Sequence, residues 1–154
     1  MQEVAVAAGV GVGTLYRHFP TREALVDAVY SAELDEVTEC ASELLHPGGA
    51  DVGLRTWMDR YLAFVQTKRG MLDTLRSGWA AGTIATPDTR ARITAVIAAF
   101  LAAGAADGTL RGDVSADDVT AALVGTMLST AAIGSAEQAG RLLDLLVDGL
   151  RPRP

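Results

Sequence analysis

The sequence predicts an all-α protein, and three of its features carry that expectation. Apolar residues recur at helical spacing, Ala, Leu and Val dominate them, and no alternating apolar and polar run is long enough to propose a sheet. With 154 residues, 49% hydrophobic and 21% charged, the chain can fill one ordinary core, or a small module joined to a larger one. Breaks at Gly9 to Gly13, Phe19-Pro20-Thr21, His46 to Gly49, Gly82 to Pro87, Asp107 to Asp113 and Gly134-Ser135 divide it into helices. Each break has a cause in glycine's freedom at positive φ or proline's missing donor.

The first helix contains Val4, Ala5 and Ala8, and after Gly9-Val10-Gly11 a second short helix runs through Leu15 towards Phe19. This is helix-turn-helix spacing, although a generic helical corner can share it. A small residue at Ala5 lets the second helix cross closely, Gly9 supplies the turn, and Val10 and Leu15 are expected to anchor the second helix on the first. Thr21 is a candidate N-cap for a helix from Arg22 to about Leu45, striped by Leu25, Val29, Leu34, Val37, Ala41 and Leu44.

Asp51 is expected to cap the next helix, in which Leu54, Trp57, Met58, Tyr61, Leu62 and Val65 keep i, i+3, i+4, i+7 spacing. A short helical piece is expected around Met71 to Ser77, bounded by Gly70 and Gly78. Thr86 and Pro87 read as N-cap and first residue of a largely buried helix, since Ile93 to Ala106 carries no charge. After a turn-rich connection, Ser115 caps a helix whose first turn holds Asp117 and Asp118, favourably placed on the helix dipole. Ser135 caps the last helix, where Ala139, Leu142, Leu143, Leu146, Val147 and Leu150 form a wide apolar face and Arg151 to Pro154 is expected to fray.

A net charge of −6 argues against binding nucleic acid through bulk positive charge, so any such contact must be local. The lone Cys40 cannot close an internal disulfide and fits a reducing cytoplasm, and no secretory signal is legible. The uncharged stretch from Val119 to Ala136 approaches membrane-spanning length, but its hydroxyl residues and glycines and its acidic flanks favour a helix buried on two sides and no membrane. No catalytic grouping is evident: His18 and His46 lie in different segments, and Gly9-x-Gly11-x-Gly13 follows no strand. The sequence therefore reads as not an enzyme, with no cofactor and no metal; His46 beside Glu43 is better read as a solvated loop histidine than as a ligand.

The string Ala8-Gly9-Val10-Gly11-Val12-Gly13-Thr14-Leu15-Tyr16-Arg17-His18-Phe19-Pro20-Thr21-Arg22-Glu23-Ala24-Leu25 closely resembles the DNA-reading signature of the TetR family of repressors. The resemblance covers about thirty residues, and beyond them it rests on helix order and on Asp107-Gly108-Thr109-Leu110-Arg111. It implies that the helix from about Val12 to Phe19 enters the major groove of double-stranded operator DNA, with Val12, Thr14, Arg17 and His18 at or near base edges. Tyr16 and Arg22 are implied phosphate contacts, and Gln2 and Gly13 complete the implied DNA-binding set. Gly11 stands where the family usually has a serine or similar cap, a departure that glycine tolerates.

The implied organisation is a helix-turn-helix DNA-binding unit over residues 1–30 and a helical ligand-binding and dimerisation domain over residues 31–154. Trp57, Met58, Tyr61, Phe64, Trp79, Phe100 and Met127 are candidates for an apolar effector pocket, with ordinary core packing as the competing reading. Val119, Ala122, Gly125, Thr126, Leu142, Leu143, Leu146 and Leu150 are candidates for a homodimer interface. The implied function is a cytoplasmic regulator, in the first instance a repressor, that binds a palindromic operator as a homodimer and is released by a small molecule. The alternative is a dimeric ligand-binding helical protein that has lost DNA binding through N-terminal truncation. The family signature normally has a further helix before the segment that begins here at Met1, so Val4, Val6, Val10 and Leu15 are expected to lose part of their cover.

Overall fold

The computed structural model describes residues 1–46, 49–68, 88–133 and 135–152, with the side chains of residues 131–133 excepted. All regular structure among them is helical: α1 (Gln2–Ala7), α2 (Val12–His18), α3 (Arg22–Glu39), α4 (Ala41–Leu44), α5 (Ala50–Thr67), α6 (Thr89–Asp107), α7 (Ala116–Ile133) and α8 (Ala136–Leu150). The expected short helix at Met71 to Ser77 lies outside the described residues, as do Trp79 and the Thr86-Pro87 pair. The described part of α6 begins at Thr89, with Asp88 at its N-cap position.

By its contacts the chain forms two compact units, one holding Met1–Glu33 and the segment that begins at Lys68, the other Leu34–Thr67 and the residues from Asp88 onward. Lys68 belongs to the first unit, where its ammonium pairs with the Glu33 carboxylate.

In the first unit, α1 ends in a two-bond left-handed closure. Gly9 takes φ +66°, its amide donates to the Val6 carbonyl at 3.1 Å, and the Val10 amide donates to the Ala5 carbonyl at 3.0 Å. This pair of bonds satisfies carbonyls that the helix end would otherwise leave open, and a residue with a Cβ would be strained at Gly9. Ala5 is fully buried and Leu15 nearly so, whereas Val4, Val6 and Val10 are exposed at 43%, 74% and 43%. Leu15 therefore keeps its cover, and Val10 is not the anchor that its spacing promised; with its amide fixed by the closure, its side chain remains on the surface. Thr21 caps α3 as expected, its Oγ1 accepting the Ala24 amide at 3.1 Å.

The α3 stripe differs from expectation by one residue at its centre: Tyr30, Leu34, Val37 and Ala41 are buried, and Val29 is 39% exposed. The long helix expected to reach Leu45 is interrupted at Cys40 and resumes as α4. Val37 offers the carbonyl that would serve the Ala41 amide in an unbroken helix, and it receives the buried Trp57 indole N–H at 2.8 Å.

The second unit is a helical core centred on α5. Gly53, Leu54, Trp57, Met58, Tyr61, Leu62 and Phe64 are buried along it, meeting Ile93, Ile97, Phe100 and Leu101 of α6, Leu123 and Met127 of α7, and Leu143 and Val147 of α8. Close approach requires glycine in two places. A Cβ on Gly53 would lie 2.2 Å from the Leu44 carbonyl oxygen, and one on Gly104 would lie 2.6 Å from the Leu110 side chain.

Ser115 and Ser135 cap α7 and α8 as expected, accepting the amides of Asp117 at 3.2 Å and Gln138 at 3.1 Å. Asp51 does not cap α5: it sits inside the first turn, where its carboxylate accepts Arg151 Nε at 2.9 Å. The same contact ties down Arg151, which was expected to fray. Among the described residues one helix, α6, is long and apolar enough to cross a membrane by composition. It is not the largely buried helix that its uncharged run promised: Ile93, Ile97, Phe100, Leu101 and Gly104 are buried on one face, and the other residues keep solvent.

Candidate nucleic-acid interface

α2 has one buried residue, Leu15, and the rest of its surface is open. Every side chain the sequence assigned to DNA on this helix is exposed, namely Val12, Thr14, Tyr16, Arg17 and His18, together with the backbone at Gly13. Gln2 and Arg22, at the starts of α1 and α3, are exposed too. At about 100° per residue, Gly13 and Arg17 lie opposite Leu15 and form the outward crest of α2, with Tyr16 on its flank. Tyr16 keeps 47% of its surface, too much for a core aromatic.

Local physics explains how this short helix is held. Gly11 at the N-cap takes φ −68° and ψ 140°, and its carbonyl accepts the amides of Thr14 at 2.9 Å and Leu15 at 3.1 Å. At the other end, the Phe19 amide donates to the Leu15 carbonyl at 2.8 Å, and Arg17 and His18 occupy the last turn. The Arg17 guanidinium there is favourably placed against the helix dipole and stands clear of the protein. The exposed surface of α2 can thus offer a guanidinium, an imidazole, a hydroxyl and a phenol, a set suited to base edges and phosphates.

In the second unit, the residues assigned to an effector pocket come together, with Trp79 outside the described residues. Trp57 and Tyr61 stack with ring centroids 5.6 Å apart, Trp57 and Phe100 lie at 6.4 Å, and Tyr61 and Phe64 at 6.0 Å. Met58 and Met127 are also buried. One aromatic group therefore links α5 and α6.

The residues assigned to a dimer interface divide. Val119, Leu143 and Leu150 are buried within the subunit's own core and face no solvent. Ala122 and Gly125 are exposed, and Thr126, Leu142 and Leu146 are half-buried. Sequence reasoning passed over Leu128 and Leu145, which are 57% and 67% exposed. Periodicity held the signal, because on each helix these leucines fall off the stripe that Val119, Leu123 and Met127, or Ala139, Leu143 and Val147, turn inward.

Arg55 was also missed. From α5 it donates through Nε to Asp144 at 2.7 Å and through Nη2 to the Gly140 carbonyl at 3.2 Å, and it pairs with Asp59 at 2.6 Å. Partial burial disfavours its charge, but the hydrogen bonds to Asp59 and Asp144 outweigh that cost and hold its pKa above the ordinary value. It fastens α8 to the aromatic helix.

A short exposed helix set behind a glycine turn, followed by an all-helical unit, is the arrangement of a helix-turn-helix protein. Residues 1–29 match the family described as bacterial regulatory proteins, tetR family. Residues 46–152 match the one described as transcriptional regulator SbtR-like, C-terminal domain. The chain belongs to the TetR family of transcriptional regulators.

A TetR transcriptional regulator from Streptomyces coelicolor is 40% identical, with a TM-score of 0.80 over 99% of this chain and 87% of that one. A TetR transcription regulatory protein from Mycobacterium vanbaalenii is 29% identical, with a TM-score of 0.64 over 97% of this chain and 81% of that one. The reduced form of E. coli NemR, at 17% identity and a TM-score of 0.64 over 100% of this chain and 87% of that one, shares the fold. No curated protein matches the chain.

Proposed function

We propose that this regulator is a repressor that grips a palindromic operator as a homodimer and is released by an apolar small molecule. The observation that carries the reading is the outward crest of α2, where Gly13, Tyr16 and Arg17 stand exposed opposite a single buried anchor, Leu15. A dimer brings two such helices to half-sites about 10 base pairs apart, so a two-fold operator matches a two-fold protein. Leu128, Leu145 and the small residues Ala122 and Gly125 supply a surface for helices to pair across that axis.

The effector reading rests on the Trp57, Tyr61, Phe64 and Phe100 group, whose buried rings would suit an apolar ligand if they part to admit one. A ligand lodged there acts only by its preference for one of two conformations, and reciprocally bound DNA weakens the ligand.

The test is a screen of apolar compounds that reads tryptophan emission and melting temperature on the full chain, followed by mobility shift on duplexes from its upstream DNA. The expected result is a compound that quenches emission, raises melting temperature and dissociates the shifted complex. A compound that binds and leaves the complex intact removes the effector part of the reading. Compound binding with no shifted duplex at all would mark a ligand-binding dimer without DNA reading.

A further inference from the structure

Gly13 is a glycine that nothing inside the protein requires. Its φ lies outside the left-handed region, and a Cβ built on it meets nothing within 4 Å. Gly9 and Gly108 differ by their positive φ, and Gly53 and Gly104 by the atoms that a Cβ would strike. Gly13 also lies within α2, a seven-residue helix, where glycine weakens helix formation relative to alanine. The intramolecular balance therefore favours alanine at this position.

Its place on α2 supplies a reason for glycine. Gly13 lies two residues before the buried Leu15, about 160° around the helix from it, and one turn before Arg17 on the same crest. It is the lowest point of the surface that the helix turns outward, between the side chains of Val12, Thr14 and Arg17.

Resting on the assignment of α2 to DNA reading, we propose that Gly13 is a specificity-determining clearance: its bare Cα lets the duplex close on the helix so that Arg17 reaches a base edge. A Cβ there holds the helix off the duplex. The lost contact is the sequence-specific one, because long cationic side chains still reach phosphates from farther away.

The experiment compares the full wild-type chain with Gly13→Ala. A random-sequence duplex pool is enriched by the wild-type protein, and anisotropy titrations at one fixed salt concentration then measure both proteins on the enriched duplex and on a scrambled one. Melting temperatures are recorded for both. The expected result is a melting temperature that is unchanged or raised, a loss of about tenfold or more on the enriched duplex, and unchanged affinity for the scrambled one.

Binding by Gly13→Ala within about twofold of wild type on the enriched duplex overturns the clearance and leaves DNA reading intact. A lowered melting temperature overturns it as well, since the glycine would then serve the fold. An equal loss on both duplexes overturns it in favour of a general contact. Failure of the wild type itself to enrich any sequence is a distinct result, removing the DNA-reading assignment and the clearance with it.

Discussion

At the scale of single residues, Arg17 is the side chain best placed to discriminate sequence, because it shares the crest of α2 with Gly13 and is held by no other group on that helix. Arg17→Ala is expected to cost about 1–3 kcal/mol of discrimination, roughly five- to 150-fold, with little change in melting temperature. Competition between specific and scrambled duplex checks this. Trp57 is a residue of the opposite kind: fully buried, it gives its indole N–H to the Val37 carbonyl at 2.8 Å. Trp57→Phe removes that donor and some volume and is expected to destabilise by about 2–3 kcal/mol, read as a lower urea midpoint at unchanged slope.

Sequence spacing made the exposed surface of α2 legible, because a short helix with one inward residue leaves its other positions outward. It misjudged Val10, since a backbone closure, not a side-chain contact, decides where that residue ends up. Assigning Asp51 as a cap failed for a similar reason. Its partner Arg151 is far away in the chain, and such pairing has no local sequence signal.

At the scale of elements, the junction of α4 and α5 and the end of α6 depend on glycine for contact rather than for turning. Gly53→Ala drives a methyl into the Leu44 carbonyl, a backbone atom with no rotamer by which to escape. The expected loss is about 1–3 kcal/mol, despite alanine's better helix propensity, and calorimetry on the two proteins checks it. Gly125→Ala in α7 meets no atom of its own subunit. It therefore separates packing within the subunit from packing between copies.

Helix positions in α5, α7 and α8 were readable because their apolar stripes are long and regular. The pause at Cys40 was not, since it coincides with an indole arriving from another helix. Sequence periodicity also merged two apolar surfaces of α7 and α8. Spacing taken helix by helix separates the inward Val119, Leu143 and Leu150 from the outward Leu128 and Leu145, as burial shows.

At the scale of the whole molecule, the proposed reading of a palindrome needs two copies of the chain. Leu128 and Leu145 together expose apolar surface whose burial is favourable at roughly 25 cal/mol per Å², and a charge set there would have to be desolvated on pairing. Leu145→Glu is expected to convert a dimer at micromolar concentration into a monomer that remains folded, as sedimentation velocity and circular dichroism would report. A dimer insensitive to both Leu145→Glu and Leu128→Glu would place the interface elsewhere.

On the function proposed above, α2 reads DNA from a two-fold dimer. Hydroxyl-radical footprinting on the duplex enriched by the wild-type chain tests it most directly, run beside Arg17→Ala and Leu145→Glu. At a protein concentration just sufficient for the wild type to protect the site, two symmetric protected patches about one helical turn apart are expected, lost on either substitution while each variant keeps its helical spectrum. A single unsymmetrical patch, or a footprint that survives Arg17→Ala, would contradict it.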